Sequence, residues 1–522
     1  MSTMDMIIRN GWVLDGNANP WFQADVGIEG KKITKVGNLS SATAERVIDA
    51  KDMIVAPGFI DIHNHSDMPL LVSGRGESMI RQGVTSVLTC NCGGSPFPLV
   101  GEARPRRSRG GQEVDWSTVD EYKAKLRSQG ISINIGLQVG HGTVRSAVMG
   151  YEQREPTAGE MEEMKGFVAG AMEAGCFGMS SGLGYSPGMF AKTEEVVELC
   201  KLVGKYGGIY STHARSVSTF PKNLEEVIEI GEKAGLPVQM SHIGSSTCGR
   251  ANWGRARSVT LNIIDAARAR GVDFTADIYP YTISGASLGM YVPDWAHEGG
   301  PSKMLERLAD PEVRKRIREE LPDMLRMRDW SQLLLHSLRS EKNKIYEGKT
   351  VQQVAEMRGA DPVDVMCDLL IEEKGACPCW GLFGLETDIR TLMKHEAVMI
   401  GSDGSAVQPT GTRVEGHPRN YGAFARILET YVGDGVLTLT EAVHKMSGMP
   451  ARRLGLTDRG VIKPGAYADI TIFNPFLVRD KSTLEDPAKF PEGIPYVLVN
   501  GVVTVDNGEH TGATAGEILC KP

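Results

Sequence analysis

The sequence lacks any apolar run of the roughly 18 to 20 residues that a bilayer-spanning helix needs. It has no surplus of positive charge either, since 57 Lys and Arg stand against 65 Asp and Glu, a formal net charge of −8. Its densest basic stretch, Arg104, Arg106, Arg107 and Arg109, is short and encloses Pro105, so it reads as a solvated loop. That balance leaves no electrostatic footprint for nucleic acid or an anionic membrane, and neither is expected as a partner. Cysteine is sparse, odd in number and scattered, nine in 522 residues, which is no framework for a small disulfide-rich secreted domain. Met1 to Arg9 carries no charged-then-apolar leader pattern, and a cytoplasmic location is expected. Also missing are a G-x-S-x-G elbow, a phosphate-binding G-x-x-x-x-G-K-[ST] loop, a nucleotide fingerprint, a solenoid-length repeat and a low-complexity tract.

What is present is ordinary globular material, 41% hydrophobic and 23% charged. Short alternating segments separated by Gly, Asn and Asp fill the N-terminus ("MIIRNGWVLDG", "DVGIEGKKITKVG", "ERVIDAKDMIVAPG"), and the C-terminus repeats the style ("ADITIFNP", "YVLVNGVVTVDNGE"). Unpaired edges at both ends predict one small β-sandwich domain built from residues 1–56 and 462–522. Residues 57–461 change rhythm. Eight apolar runs alternate with amphipathic stretches such as "GEMEEMKGFVAGAMEAG", which predicts an α/β fold, a (β/α)8 TIM-like barrel with its chemistry at the C-terminal strand ends. The rhythm breaks between Tyr281 and Val398, where helical segments predict an insertion after strand 7, about residues 285–395, placed as a lid.

The runs end in chemistry-bearing residues. His63 and His65 close the first; two apart on a strand, they face the same way and reach one metal ion. Taken alone, such a pair is a coincidence more often than a site. Its company changes that: His213 and His242 end two later runs and Asp403 ends the last, so four imidazoles and a carboxylate converge at one barrel mouth. In "TCNCGG", alternation puts Cys90 and Cys92 on one face with Cys90 deeper, which favours Cys92 as a thiolate ligand and Cys90 as packing. His141 ends another run and reads equally as a satisfied polar residue or a catalytic one. His297, His336, His395, His444 and His510 read as structural or solvated, and "GYSPG" (Gly184 to Gly188) as lining of the mouth.

With these residues in view, the chain resembles the amidohydrolase superfamily, and within it the D-aminoacylase (N-acyl-D-amino acid deacylase) group. The motifs run almost end to end: "PGFIDIHNHSD", "GVTSVLTCNCG", "VGHGTVR", "GMSSGLGYSPG", "YSTHARS", "MSHIG", "DIYPYT", "GSDG" and "HPRNYGAFARIL". The H-x-H pair is common to many amidohydrolases; the N-C-G, S-S-G-L-x-Y-x-P-G and H-P-R motifs are far more specific.

The resemblance implies zinc-dependent hydrolysis of an N-acyl-D-amino acid to a carboxylate and a free D-amino acid. It implies one tight zinc on Cys92, His213 and His242, a second, weaker position at His63 and His65, and Asp403 as general acid/base. It also implies Arg419 as clamp for the substrate carboxylate, helped by Tyr279, Tyr281 and Ser287, with Ser284 competing for the last place. One departure stands out: the family commonly has a Lys two residues after the sixth-strand His, and here that residue is Gly244. The metal and acid/base positions are therefore complete and the substrate pocket is altered. This leaves open another amide, lactam, cyclic imide or carbamoyl substrate, and a non-catalytic scaffold of the same fold. The expected partner is a small-molecule amide, with homo-oligomerisation left open.

Overall fold

The computed structural model describes residues 4–104, 108–109, 112–215, 219–244, 252–324, 329–382, 384–409 and 416–522. Arg106 and Arg107 of the basic stretch lie outside these residues. Eight short apolar runs become strands: β1 (Phe59–Asp61), β2 (Val84–Thr89), β3 (Asn134–Leu137, resumed at Val139–Gly140), β4 (Gly178–Gly182), β5 (Ile209–His213), β6 (Val238–Met240), β7 (Phe274–Ile278) and β8 (Val398–Ile400). Each pairs in parallel with the one before it. The ring closes beyond the last assigned residues of β1 and β8, through a parallel bridge between Asn64 and Gly404. There the His65 N–H donates to Gly404 O at 2.7 Å, and the Asp403 N–H donates to His63 O at 2.9 Å.

This is a (β/α)8 barrel. Its strands are buried along almost their whole length, as they must be between a filled interior and a ring of helices. The helices start where their sequence provides for the free N–H groups of a first turn. In the helix Ala158–Glu173, the Thr157 side chain accepts from the Glu160 N–H, and the Glu160 carboxylate accepts from the Thr157 N–H. Thr118 with Glu121 and Thr438 with Glu441 repeat the arrangement.

Strands from both termini pair in a single nine-stranded sheet. Its seam is the antiparallel pairing of Ile54–Pro57 with Ile470–Phe473. Ile8, Val26, Ile33, Ile470, Ile472 and Leu498 form the core that this sheet wraps. A second satellite lies between β7 and β8. Among the described residues it has four α-helices, Gly300–Leu308, Pro311–Met324, Val351–Arg358 and Pro362–Glu372, and a core of its own that includes Leu288, Leu335, Val354 and Leu370. Helical periodicity hid one part of it: Ile283–Ser287, Leu334–Leu335 and Pro378–Leu382 make a three-stranded antiparallel sheet. Among the described residues no helix is long and apolar enough to cross a membrane.

Ile470 is fully buried and sits on the seam, facing Pro57 on one side and Leu498 on the other. Ile470→Ala is expected to cost about 2–5 kcal/mol of stability, from lost transfer energy and the cavity left behind. Urea unfolding checks this, and a change below about 0.5 kcal/mol would mean that the seam does not hold the two ends together.

Candidate metal centre

The site is assembled by residues at the ends of the strands and just past them. Asp61, the last residue of β1, is fully buried. Its carboxylate accepts from the Ser402 N–H at 2.9 Å, the Ser402 hydroxyl, and Asn64 Nδ2 at 2.8 Å, which ties β1 to β8. Burial pushes its pKa up to about 6, against the pull of those hydrogen bonds. The next turn carries His63 and His65 to Asp403: Oδ1 lies 3.3 Å from His63 Nε2 and 3.0 Å from His65 Nε2.

Cys92 lies at the centre. Its Sγ is 3.4 Å from His63 Nε2 and 3.6 Å from His242 Nε2, and His242 Nε2 is 2.8 Å from His213 Nδ1. Two ligand sets result, each with its donor atoms within 4.8 Å of one another: His63, His65, Cys92 and Asp403; and Cys92, His213 and His242. The thiol belongs to both. Thiolate and imidazole donors at such spacing fit zinc, which takes sulfur and nitrogen ligands in compact, low-coordination sites.

Cys92, His242 and Asp403 have φ of 55°, 36° and 50°, a left-handed conformation that side-chain-bearing residues rarely adopt. Three such residues at one centre indicate backbone strain concentrated where the donors are aimed. Cys90, at φ 64°, is also past the end of β2. Strand alternation therefore does not govern this pair; the turn does. Cys90 is buried, and desolvation holds its thiol well above the usual value.

Burial by itself disfavours a charged Cys92, yet the imidazoles of His63, His213 and His242 overcome it and hold the thiol well below its ordinary pKa. Burial likewise opposes ionisation of Asp403, but Arg419 and His63 keep its carboxyl well below the usual range. His63 and His65 are desolvated too; Asp277 and Cys92 raise the first well above its usual value, and Asp403 with Cys92 lifts the second to about 9. His213 shifts the other way, lowered by burial and by His242.

Asp277, in the middle of "FTADIYP", escapes a reading of strand ends. It is fully buried in β7 and accepts from three groups: His63 Nδ1 at 2.9 Å, Gln239 Nε2 at 2.8 Å and the His242 N–H at 2.8 Å. Engaging Nδ1 leaves His63 Nε2 to face the cluster. A signal for it exists in the sequence, since an acid flanked by Phe274 and Ile278 in a buried strand needs partners.

Arg419 begins the helix Arg419–Arg426, with Nη1 2.7 Å from Asp403 Oδ2 and its guanidinium 5.0 Å from the Tyr279 ring centre. Tyr281 is near as well, but its hydroxyl donates to Asp480 Oδ2 at 2.9 Å. Ser287 Oγ accepts from the Gly289 N–H, and Ser284 Oγ donates to Gly381 O, so both serine hydroxyls serve the insertion's backbone. The insertion meets Arg419 through Gly285, where a Cβ would lie 3.4 Å from Nη2. Trp380 is the cross-strand partner of Gly285. Its indole N–H and Arg419 Nε are buried and have no acceptor among the described residues. Trp380, too, went unseen in the sequence, because its strand did. His141 is packed away from the cluster, with Nε2 2.8 Å from Glu195 Oε1, whose other oxygen holds Arg145.

A cavity of about 580 Å³ opens beside the cluster, with His65, Cys92 and Tyr185 in its wall. Tyr185, of the "GYSPG" turn, donates its hydroxyl to Cys92 O.

A barrel of this kind with a Cys/His/Asp cluster at its strand ends defines a metal-dependent hydrolase acting on carbon–nitrogen bonds. The chain belongs to the amidohydrolase family, whose sequence model matches residues 46–505. It is 34% identical over 504 residues to an N-acyl-D-glutamate deacylase of Alcaligenes xylosoxydans xylosoxydans, covering 95% of this chain and 93% of the relative. A D-aminoacylase of the same organism is 34% identical over 525 residues, covering 99% and 98%. The crystal structure of N-acyl-D-glutamate deacylase from Bordetella bronchiseptica, complexed with zinc and a phosphonate inhibitor, superposes with a TM-score of 0.83 at 30% identity, covering 99% and 100%.

Two outcomes follow from the electrostatics. To become ligands, His63 and His65 must give up protons that Asp277, Asp403 and Cys92 hold on them. Zinc uptake by chelator-stripped protein at pH 7 is therefore expected to release protons, and affinity to fall about tenfold per displaced proton for each pH unit lowered below about 9. Calorimetry in buffers of different ionisation enthalpy measures this; buffer-independent heats would refute it. Asp277→Ala frees the His63 ring and is expected to weaken zinc retention about 10- to 100-fold, read from metal content after dialysis against a chelator.

Proposed function

We propose that this protein hydrolyses the amide bond of N-acyl-D-amino acids, using zinc at the Cys92 cluster. The observation that carries the reading is the position of Asp403, which contacts His63 and His65 on one side and Arg419 on the other. A proton carrier thus sits between the metal ligands and a cation suited to a carboxylate. Cys92, His213 and His242 are assigned the tight position, and His63 and His65 the weaker one. Bound there, zinc supplies a Lewis acid that polarises the amide carbonyl and acidifies water.

The chain's own groups do the rest. Held ionised by Arg419 and the imidazoles, Asp403 takes a proton from the attacking water and delivers it to the departing amine nitrogen. Arg419 pairs with the substrate carboxylate through parallel N–H···O bonds, with Nε still free to donate and Tyr279 beneath the guanidinium. Trp380 N–H is a second free donor on the same side of the site. Tyr281, whose hydroxyl donates to Asp480, and Ser287, whose oxygen accepts from the Gly289 N–H, are assigned to shaping this wall. Selection of the D enantiomer is inferred from the deacylases that the chain resembles. A reduced compartment, the cytoplasm, belongs to the same reading, because a zinc thiolate requires Cys92 to stay unoxidised.

Gly244, where the family pattern has Lys, favours a second reading: the carboxylate recognition is relaxed and the substrate is another amide, a lactam, a cyclic imide or a carbamoyl compound. Paired N-acetyl-D- and L-amino acids, tested with zinc-loaded enzyme, decide between the two. Cleavage of the D series supports the deacylase; inactivity on both series with turnover on a lactam or imide panel supports the second reading. Asp403→Asn is expected to lower kcat by about 10²–10⁴ while most of the zinc stays bound, and an undiminished kcat would remove Asp403 from its role.

A further inference from the structure

Beside the cluster, the barrel interior is not apolar. Asn91, one residue before Cys92, Gln138, in the break of β3, and Ser211, two residues before His213 in β5, are all buried. Their side chains bond to one another. Gln138 Nε2 donates to Asn91 Oδ1 at 2.9 Å, and the Ser211 hydroxyl donates to Gln138 Oε1 at 2.9 Å and to Asn91 Oδ1 at 3.4 Å. Since β4 lies between β3 and β5, these bonds cross the interior rather than run along one strand pair. Branched apolar side chains ordinarily fill such a space and need no partners. Three polar groups in their place are costly unless each is bonded, and here they close a triangle.

The other end of the Asn91 amide reaches the first strand's turn. Its Nδ2 donates to Leu88 O at 2.9 Å and to Asn64 O at 3.3 Å. Leu88 belongs to β2, and Asn64 stands between His63 and His65. Two bonds accepted and two donated are all that a side-chain amide can make, so Asn91 is fully engaged. Its chain neighbour is Cys92, whose φ of 55° needs support from its surroundings. One neutral side chain thus ties the Cys92 turn to the His63–His65 turn on one side and to the strand that carries His213 on the other. Asp277 supplies a different tie, through the His63 ring, Gln239 and the His242 N–H.

We propose that Asn91 is the positioning residue that sets the Cys92 sulfur between the two ligand sets, an inference that rests on the zinc reading of the cluster. A small rotation of the Cys92 backbone would carry Sγ toward one set and away from the other. The amide beside it, with every donor and acceptor engaged, holds one arrangement. It acts through Cys92 and has nothing left to offer a metal ion itself. The two sets depend on it unequally. The bond to Asn64 O keeps the His63–His65 turn beside the sulfur directly, whereas the His213 strand is reached only through the Ser211 hydroxyl. Loss of Asn91 therefore weakens the position at His63 and His65 more than the one at His213 and His242.

Cobalt(II) is the probe, because its absorption reports both ligand geometry and bonding to a thiolate. Chelator-stripped wild type, Asn91→Ala and Gln138→Met are titrated with it after circular dichroism has shown each to be folded. Gln138→Met keeps the length of the side chain and removes its bonds to Asn91 and Ser211, so it serves if Asn91→Ala does not fold. In the wild type, two equivalents and a thiolate charge-transfer band are expected. Asn91→Ala is expected to weaken uptake of the second equivalent about 10- to 100-fold, to weaken the first by a smaller factor, and to shift the thiolate band. Gln138→Met is expected to shift the band the same way by less. A merely structural Asn91 would lower resistance to urea and leave both affinities and the spectrum as in the wild type. That result overturns the proposal, as does a loss confined to the first equivalent or an unchanged band in Gln138→Met. A wild type that binds one equivalent, or shows no thiolate band, overturns the two-set reading of the cluster instead.

Discussion

The buried carboxylate of Asp277 is the constraint on which the centre depends. It sits in β7 with no access to water, and its charge is met by the His63 ring, the Gln239 amide and the His242 backbone. These partners come from β6 itself and from the extensions of β1 and β6, so one charge that must be compensated locks together three parts of the barrel distant in sequence. A desolvated carboxylate holds its partners closely, because losing one leaves the charge exposed to a low dielectric. His63 and His242, two of the candidate metal ligands, therefore inherit their orientation from this buried carboxylate.

A division of labour follows around Cys92 and Asp403. The thiol is shared by both ligand sets, and Asp403 joins one of them to Arg419. On the Arg419 side lie aromatic rings and the insertion's sheet, with Gly285 bare where the guanidinium approaches. On the His65 side lies a roomy acidic cavity. The barrel contributes the reactive groups, while the insertion contributes one wall. This is how a common fold acquires its own substrate.

Much of this was legible from residue order. Eight apolar runs with polar ends marked eight barrel strands, and His63, His65, Cys92, His213, His242 and Asp403 were found because they all follow such runs. Legibility failed where local pattern was not in control. The Cys90 and Cys92 backbone has left the strand, so a period of two was the wrong ruler for choosing between them. Short strands at Ile283–Ser287 and Pro378–Leu382 are more than ninety residues apart and pair with each other, the second also with Leu334–Leu335. Neither run announces a sheet by itself, and Trp380 was lost with them. Tyr281 and Ser287 carry hydroxyls suited to a substrate; in the folded chain the first donates to Asp480 and the second accepts from the Gly289 N–H.

The sequence by itself determined the alternation of strand and helix and the chemistry at the strand ends, because these are properties of composition and short-range periodicity. Only the tertiary structure decided that one sulfur would belong to two candidate ligand sets and that Asp277 would hold His63. Those outcomes depend on distances between residues far apart in the chain, and on how far each charge is removed from water. No local pattern encodes either one; closure of the barrel creates both.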